Sequence, residues 1–260
     1  MAKVKKGRIH LLDEIRGFAI VCMVFFHAFY TMTYMFGMPV GQKLYDFFFP
    51  VSIWFAGLFI VISGISCRLS HSNAMRGAKL FGIAVGLSLV MWVLDYKFGM
   101  DGTMIWFGIL HLLSVCMLLY ALLHRPLEKV HPLIAVPLLA LLFAVTYHMP
   151  DGYLQFVNHT VALPEWLKGC RFLFPFGIVH PDFYSADYYP IFPWVFLFLI
   201  GASIGRWFKG GNLPEFFYNE HFRPLAYCGR HTLVIYLAHQ PIIYGVLTAF
   251  FWVMEKGTAV

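Results

Sequence analysis

Seven apolar stretches of about 20 residues, roughly 15–37, 47–69, 77–96, 103–123, 132–149, 189–207 and 231–253, decide the solvent this chain folds in. Each is long enough to cross a hydrocarbon layer about 30 Å thick as a helix. In lipid such a segment must satisfy its own backbone hydrogen bonds, which a helix does. Only 12% of the 260 residues are charged and 60% are hydrophobic, whereas a soluble domain carries about a quarter charged residues. The mean hydropathy of +0.71 agrees. No soluble domain or low-complexity linker separates the stretches. The expectation is an all-α, polytopic transmembrane helical bundle of about seven spans, forming one domain over residues 1–260. The open point is the segment 162–180, within "VALPEWLKGCRFLFPFGI". It reads as an interfacial helix, a re-entrant segment or an eighth span.

Charge sets the orientation. With the N-terminus cytoplasmic, 14 of the 19 Lys and Arg residues fall inside, leaving Lys43, Lys97, Lys168, Arg171 and Lys256 outside. Eight of the 13 acidic residues fall outside. This is the positive-inside bias of a multi-pass membrane protein. It accounts for the net charge of +6, and no basic stripe with interleaved aromatics points to nucleic acid. The first apolar run exceeds 20 residues, is interrupted at its start by Asp13, Glu14 and Arg16, and has no small-residue cleavage site after it. It reads as a retained span rather than a signal peptide. The five cysteines are scattered, with no CxxC pair, and read as small core residues. No internal repeat is visible, which disfavours an inverted-repeat transporter plan.

The stretch "LDEIRGFAIVCMVFFHAF", residues 12–29, carries the sharpest signal. Arg16 stands at the mouth of the first span and His27 lies deep within it. Eleven steps of an α-helix make about three turns, so both side chains leave the same face, about 16 Å apart along the axis. Asp13 falls near that stripe, one turn below Arg16. An arginine at a span end commonly snorkels to headgroups. An intramembrane histidine faces protein or a cavity and is a functional candidate by default.

Two other histidines sit inside spans. Counting from the span ends, His111 lies about 10 Å below the outer surface, close to the height of His27, while His239 lies about 12 Å in from the cytoplasmic side. His27 and His111 sharing a site, or His111 serving as packing glue, are both open. No carboxylate joins the three histidines and no H-E-x-x-H motif exists, so a metal site is not expected. At the cytoplasmic span ends stand Arg16, Arg68, Arg76, Lys79, Arg206, Lys209, Arg223 and Arg230. Topology and anionic lipid account for most of them. Arg16 and Arg68 sit where an apolar span has barely ended, where a polyanionic ligand's phosphates would need them. On the outer side, "FGIVHPDFYSADYYPIFPW" gathers His180, Asp182, Tyr184, Asp187, Tyr188 and Tyr189 beside prolines. That composition suits a hydroxyl-rich ligand or an interfacial aromatic belt. Asp187, just ahead of a span, calls for a defined partner.

These features together resemble the transmembrane acyltransferase superfamily. An arginine, ten residues and a histidine in a first span beginning "LDEIRGFAI" is similar to the acyltransferase-3 pattern. The closer resemblance is to bacterial relatives of the heparan-α-glucosaminide N-acetyltransferase catalytic domain. It rests on "RIHLLDEIRGFAIVCMVFFHAFY", "VISGISCRLS", "IWFGILHLLS", "SADYYPIFPW", "LFLIGASIGR" and "GRHTLVIYLAHQP", and spans nearly the whole chain. The resemblance implies an acyl-CoA, acetyl-CoA above all, entering from the cytoplasm, with its acyl group used on the other face of a bacterial inner membrane. The implied acceptor is a hydroxyl or amine of an envelope glycan or glycolipid. It implies a coenzyme-binding role for Arg16 and a catalytic role for His27. Arg68, Asp13 and Arg230 are the further coenzyme-binding candidates, and His111 and Asp187 are candidate catalytic residues that would orient His27 or the acceptor.

The donor's shape fits the helix. Coenzyme A has phosphates at one end, a long thin arm and a thioester at the other, matching Arg16 at the mouth and His27 three turns deeper. Two roles for His27 are open: general base towards the acceptor, or carrier of the acyl group in two steps. The rival reading is a secondary transporter in which His27, His111 and His239 relay protons. A structural subunit would leave Arg16 and His27 without a task. The sequence leaves the oligomeric state open.

Overall fold

The computed structural model describes residues 7–100, 102–210 and 213–257. Lys3, Lys5, Lys6 and Asp101, used above for orientation, lie outside the described residues, as does the side chain of Lys256. Among the described residues seven helices are long and apolar enough to cross a membrane. They are α1 (His10–Tyr34), α2 (Pro39–Leu69), α3 (Asn73–Phe98), α4 (Ile109–Lys129), α5 (Pro132–Thr146, with the turn that follows it), α7 (Ile191–Lys209) and α9 (Thr232–Gly257).

The segment 162–180 holds only the four-residue helix α6 (Glu165–Lys168) and a 3-10 turn at Phe174–Phe176. Ahead of it, β1 (Tyr153–Phe156) and β2 (His159–Ala162) pair antiparallel, with Tyr153 opposite Ala162. Nothing between 152 and 190 is a helix of spanning length. The count is therefore seven, and an all-α polytopic bundle is the fold.

Local chemistry sets the helix ends. α3 stops at Gly99, which takes the left-handed conformation (φ +61°) that glycine adopts without a Cβ clash. α5 starts behind His131, whose side chain accepts the Leu133 N–H, with Pro132 in the first turn where a missing N–H costs nothing.

The helices gather into two compact units, residues 1–59 with 211–260, and residues 60–210. In the first, α1 packs on α8 (Arg223–Arg230) and on α9. Two glycines let α1 and α8 touch backbone to backbone. A Cβ at Gly17 would overlap the Leu225 carbonyl, and one at Gly229 would overlap the Asp13 carbonyl. In the second unit α4 packs on α3 and α7, and α5 packs on α7. Leu112 and Phe198 are fully buried there. Gly64 of α2 and Gly201 of α7 allow the same close backbone approach, against the Phe198 and Val61 carbonyls.

Candidate active site

In the first unit, α1 runs unbroken from His10 to Tyr34, so Arg16 and His27 do share one face. At its N-terminal end Asp13 is buried, being 5% exposed. Its carboxylate accepts from Arg8 Nε at 2.5 Å and from Arg16 Nη1 at 3.1 Å. The Asp13 carboxylate raises the pKa of the Arg8 guanidinium. Arg16 also approaches the Gly229 carbonyl at 3.4 Å, tying α1 to α8. Two guanidiniums share the one Asp13 carboxylate at this end. Arg230, a further coenzyme-binding candidate, pairs with Glu220 at 3.1 Å in the same unit.

Glu14 is also buried, and its Oε1 accepts the backbone N–H groups of His221 and Phe222 at 2.6 and 3.0 Å. A carboxylate held at the N-terminal edge of α8 satisfies free donors there and complements the helix dipole. The acidic pair in "LDEIRG" is thus divided: Asp13 serves the arginines and Glu14 anchors the chain entering α8.

Three turns further along α1, the His27 ring meets the His239 ring of α9, with centroids 4.9 Å apart and planes at 60°. This corrects the depths expected above, which set His239 well below His27. The cause is α8. It occupies the level of Asp13 and Gly17 beside α1, so α9 begins already part-way up, and the eighth residue of α9 reaches His27. His239 Nδ1 lies 2.5 Å from the Tyr236 carbonyl. Its Nε2 is buried without a hydrogen-bond partner. Thr31 Oγ1 donates to the His27 carbonyl within α1 at 2.9 Å and lies 3.3 Å from Gln240 Oε1 of α9, so the two helices meet beside the pair. His27 also contacts the edge of Phe26.

The second unit holds the remaining candidates. Arg68 Nη1 donates to Tyr120 Oη at 3.0 Å and to Glu128 Oε1 at 2.6 Å, while its Nε is buried and unpartnered. Arg68 lines a small recess with Tyr120, Leu199, Ser203 and Arg206. His111 Nδ1 accepts the Gly108 N–H at 3.3 Å, and its ring stacks on Phe107. Asp187 Oδ2 accepts the Ile109 N–H at 3.0 Å. The partner that Asp187 called for is therefore the N-terminus of α4, and His111 caps the same helix.

The outer loop around Asp187 is stitched to 104–107. Ala186 N–H donates to the Met104 carbonyl, Tyr189 N–H to that of Phe107, and Phe107 forms a parallel bridge with Tyr188. Tyr188 Oη donates to the Phe174 carbonyl at 2.6 Å, and burial pushes its phenol pKa up. Asp182 and Tyr184 stay exposed. Among the described residues no group of three His, Cys, Asp or Glu could hold a metal ion.

The family model described as "Heparan-alpha-glucosaminide N-acetyltransferase, catalytic" matches residues 8–241. The chain belongs to this family. It is accordingly a member of a membrane acetyltransferase family, built as a multi-pass integral membrane protein. Neither the curated proteins nor the solved structures include a match to the chain. The match to the heparan-α-glucosaminide N-acetyltransferase family takes in α1, α8 and α9 up to Pro241, and so both histidines of the pair.

Sequence reasoning passed over Glu14 and left His239 outside the candidate site of this family member. Glu14 gave no signal, because a carboxylate beside a span end usually meets water. His239 gave one: a histidine eight residues into an apolar span and two before Pro241 is costly to bury. Only a wrong count of depth separated it from His27.

Proposed function

We propose that the protein moves an acyl group, acetyl above all, from cytoplasmic acyl-CoA to a hydroxyl or amine of an envelope glycan or glycolipid across a bacterial inner membrane. The observation that carries this reading is the single face of α1. Arg16, paired with Asp13, stands at one end, and His27 stands three turns away against His239. The donor's phosphates would lie near Arg16 and its thioester near His27, over a span of about 16 Å.

At His27 two courses fit the same geometry. As general base, His27 takes the acceptor's proton while the acceptor oxygen or nitrogen attacks the thioester carbonyl. The C–S bond breaks, and the coenzyme A thiolate leaves and collects that proton. As carrier, a His27 nitrogen attacks the thioester carbonyl, the C–S bond breaks and the coenzyme A thiolate leaves with the ring's other proton. The acceptor then attacks the acyl-imidazole, the acyl–nitrogen bond breaks and the acceptor's proton returns to the ring. Arg68 keeps a candidate anion-binding role within its own unit, since a buried Nε without a partner invites an acceptor. His111 and Asp187 act as caps that hold the outer end of α4.

The test is coenzyme A release from acetyl-CoA by purified protein in detergent, wild type against His27→Ala and Arg16→Ala. The expected result is turnover in the wild type, none in His27→Ala with coenzyme A binding retained, and coenzyme A-dependent thermal stabilisation weakened in Arg16→Ala. Equal turnover in His27→Ala removes His27 from the chemistry. Absence of any stabilisation at millimolar coenzyme A overturns the donor assignment and turns the search to proton-linked uptake in vesicles.

A further inference from the structure

A carbonyl oxygen only accepts, so the 2.5 Å contact between His239 Nδ1 and the Tyr236 carbonyl fixes the proton of the neutral ring on Nδ1. The lone pair is then on Nε2. That nitrogen is buried without a partner, on a residue only 8% exposed. An acceptor without a donor in an apolar interior is destabilising, and nearly all buried polar groups avoid that state. A leucine would fill this place in an apolar helix at no such cost. The ring closest to it in chemistry is that of His27, with centroids 4.9 Å apart.

We propose that His239 is a positioning residue for His27: its Nε2 receives one ring N–H of His27 and leaves the lone pair of His27 on the other nitrogen, towards the reacting group. At this centroid separation, facing nitrogens of two imidazoles come within hydrogen-bond reach once His27 turns about its terminal torsion, which is broad for histidine. Thr31 donates to the His27 carbonyl within α1 and lies against the Gln240 side chain of α9, beside the two rings. The arrangement needs no charged partner, which suits a pair inside a membrane. It serves both roles proposed for His27, because base and carrier alike need a lone pair of known direction. The inference rests on that proposed role of His27.

The test sets His239→Leu and His239→Gln beside the wild type. Leucine removes the acceptor and fills the space, whereas the glutamine amide oxygen reaches about where Nε2 stands. The expected outcome in coenzyme A release is a fall of kcat of at least tenfold for His239→Leu with KM for acetyl-CoA unchanged, and recovery of most of the lost rate in His239→Gln. The unfolding temperature of His239→Leu should stay near that of the wild type, so that the lost rate is not lost folding. Wild-type kcat in a folded His239→Leu overturns the proposal, as does a His239→Gln variant no better than His239→Leu.

Nitrogen-15 shifts of His27 in labelled protein give a second readout that does not depend on turnover. They should report one tautomer in the wild type and a mixture in His239→Leu. The same mixture in both overturns the contact. A single tautomer in a wild type that releases no coenzyme A would leave the pairing standing while the acyltransferase reading fails.

Discussion

The crossing of α1 and α9 and the N-terminus of α4 use similar residues to opposite ends. At α4, His111 accepts the Gly108 N–H, Asp187 accepts the Ile109 N–H, and Ser114 Oγ donates to the His111 carbonyl at 2.7 Å. His111 and Asp187 accept N–H groups that the helix start leaves free, and Ser114 closes on the turn behind them. At the α1–α9 crossing, His239 uses one nitrogen on its own helix and buries the other unused beside His27. Where the polar groups close on one another, the residues are scaffold. Where one is left open at a cost in stability, the fold is holding a group for something else.

Substitution of the two histidines strains this contrast most. His27→Ala should cost about 10²- to 10⁴-fold in acyl transfer, the usual range for a positioned proton-transfer group, with little change in unfolding temperature. His111→Ala should do the reverse, lowering the unfolding temperature while turnover per folded molecule stays near wild type. Paired measurements of coenzyme A release and thermal unfolding check both. Loss of turnover in a stably folded His111→Ala would bring His111 into the chemistry and end the distinction.

A smaller effect is expected from Gly108→Ala. A Cβ there would overlap the Asp187 carboxylate, which would have to swing away and abandon the Ile109 N–H. Overpacking of this kind costs about 1–3 kcal/mol, visible as a lower unfolding temperature. An unchanged temperature would mean that the cap is not holding α4, and Asp187 would again need a different partner.

How much of this was legible in the sequence follows from the range of the interactions concerned. The seven spans were legible because lipid demands long apolar helices, and the shared face of Arg16 and His27 because helical period is local. The ion pair of Asp13 with Arg16, three residues apart, was legible for the same reason. The relation of His239 to His27 was not, because it depends on α8, an eight-residue helix too short to stand out from the polar stretch between two spans, and on Gly17 and Gly229 admitting it against α1. Asp187 announced that it had a partner, but the partner is a backbone N–H of Ile109, a group every residue but proline carries. The hairpin of β1 and β2 escaped notice because four-residue strands are too short to show alternation.

The smallest and most discriminating effect concerns Asp187 itself. Asp187→Ala removes the acceptor from the α4 N-terminus and should cost about 1 kcal/mol, the usual loss for a helix N-terminal cap. Asp187→Asn keeps an oxygen for the Ile109 N–H and forfeits only the attraction between a carboxylate and the positive end of the helix dipole, about 0.3–1 kcal/mol. The order of unfolding temperatures should therefore be wild type, then asparagine, then alanine, with coenzyme A release per folded molecule level across all three. An aspartate that took part in proton transfer would give another order: asparagine, unable to accept the proton, would lose turnover as fully as alanine while keeping the stability of the cap. The α4 terminus is scaffold only if activity stays flat while stability falls in these two steps.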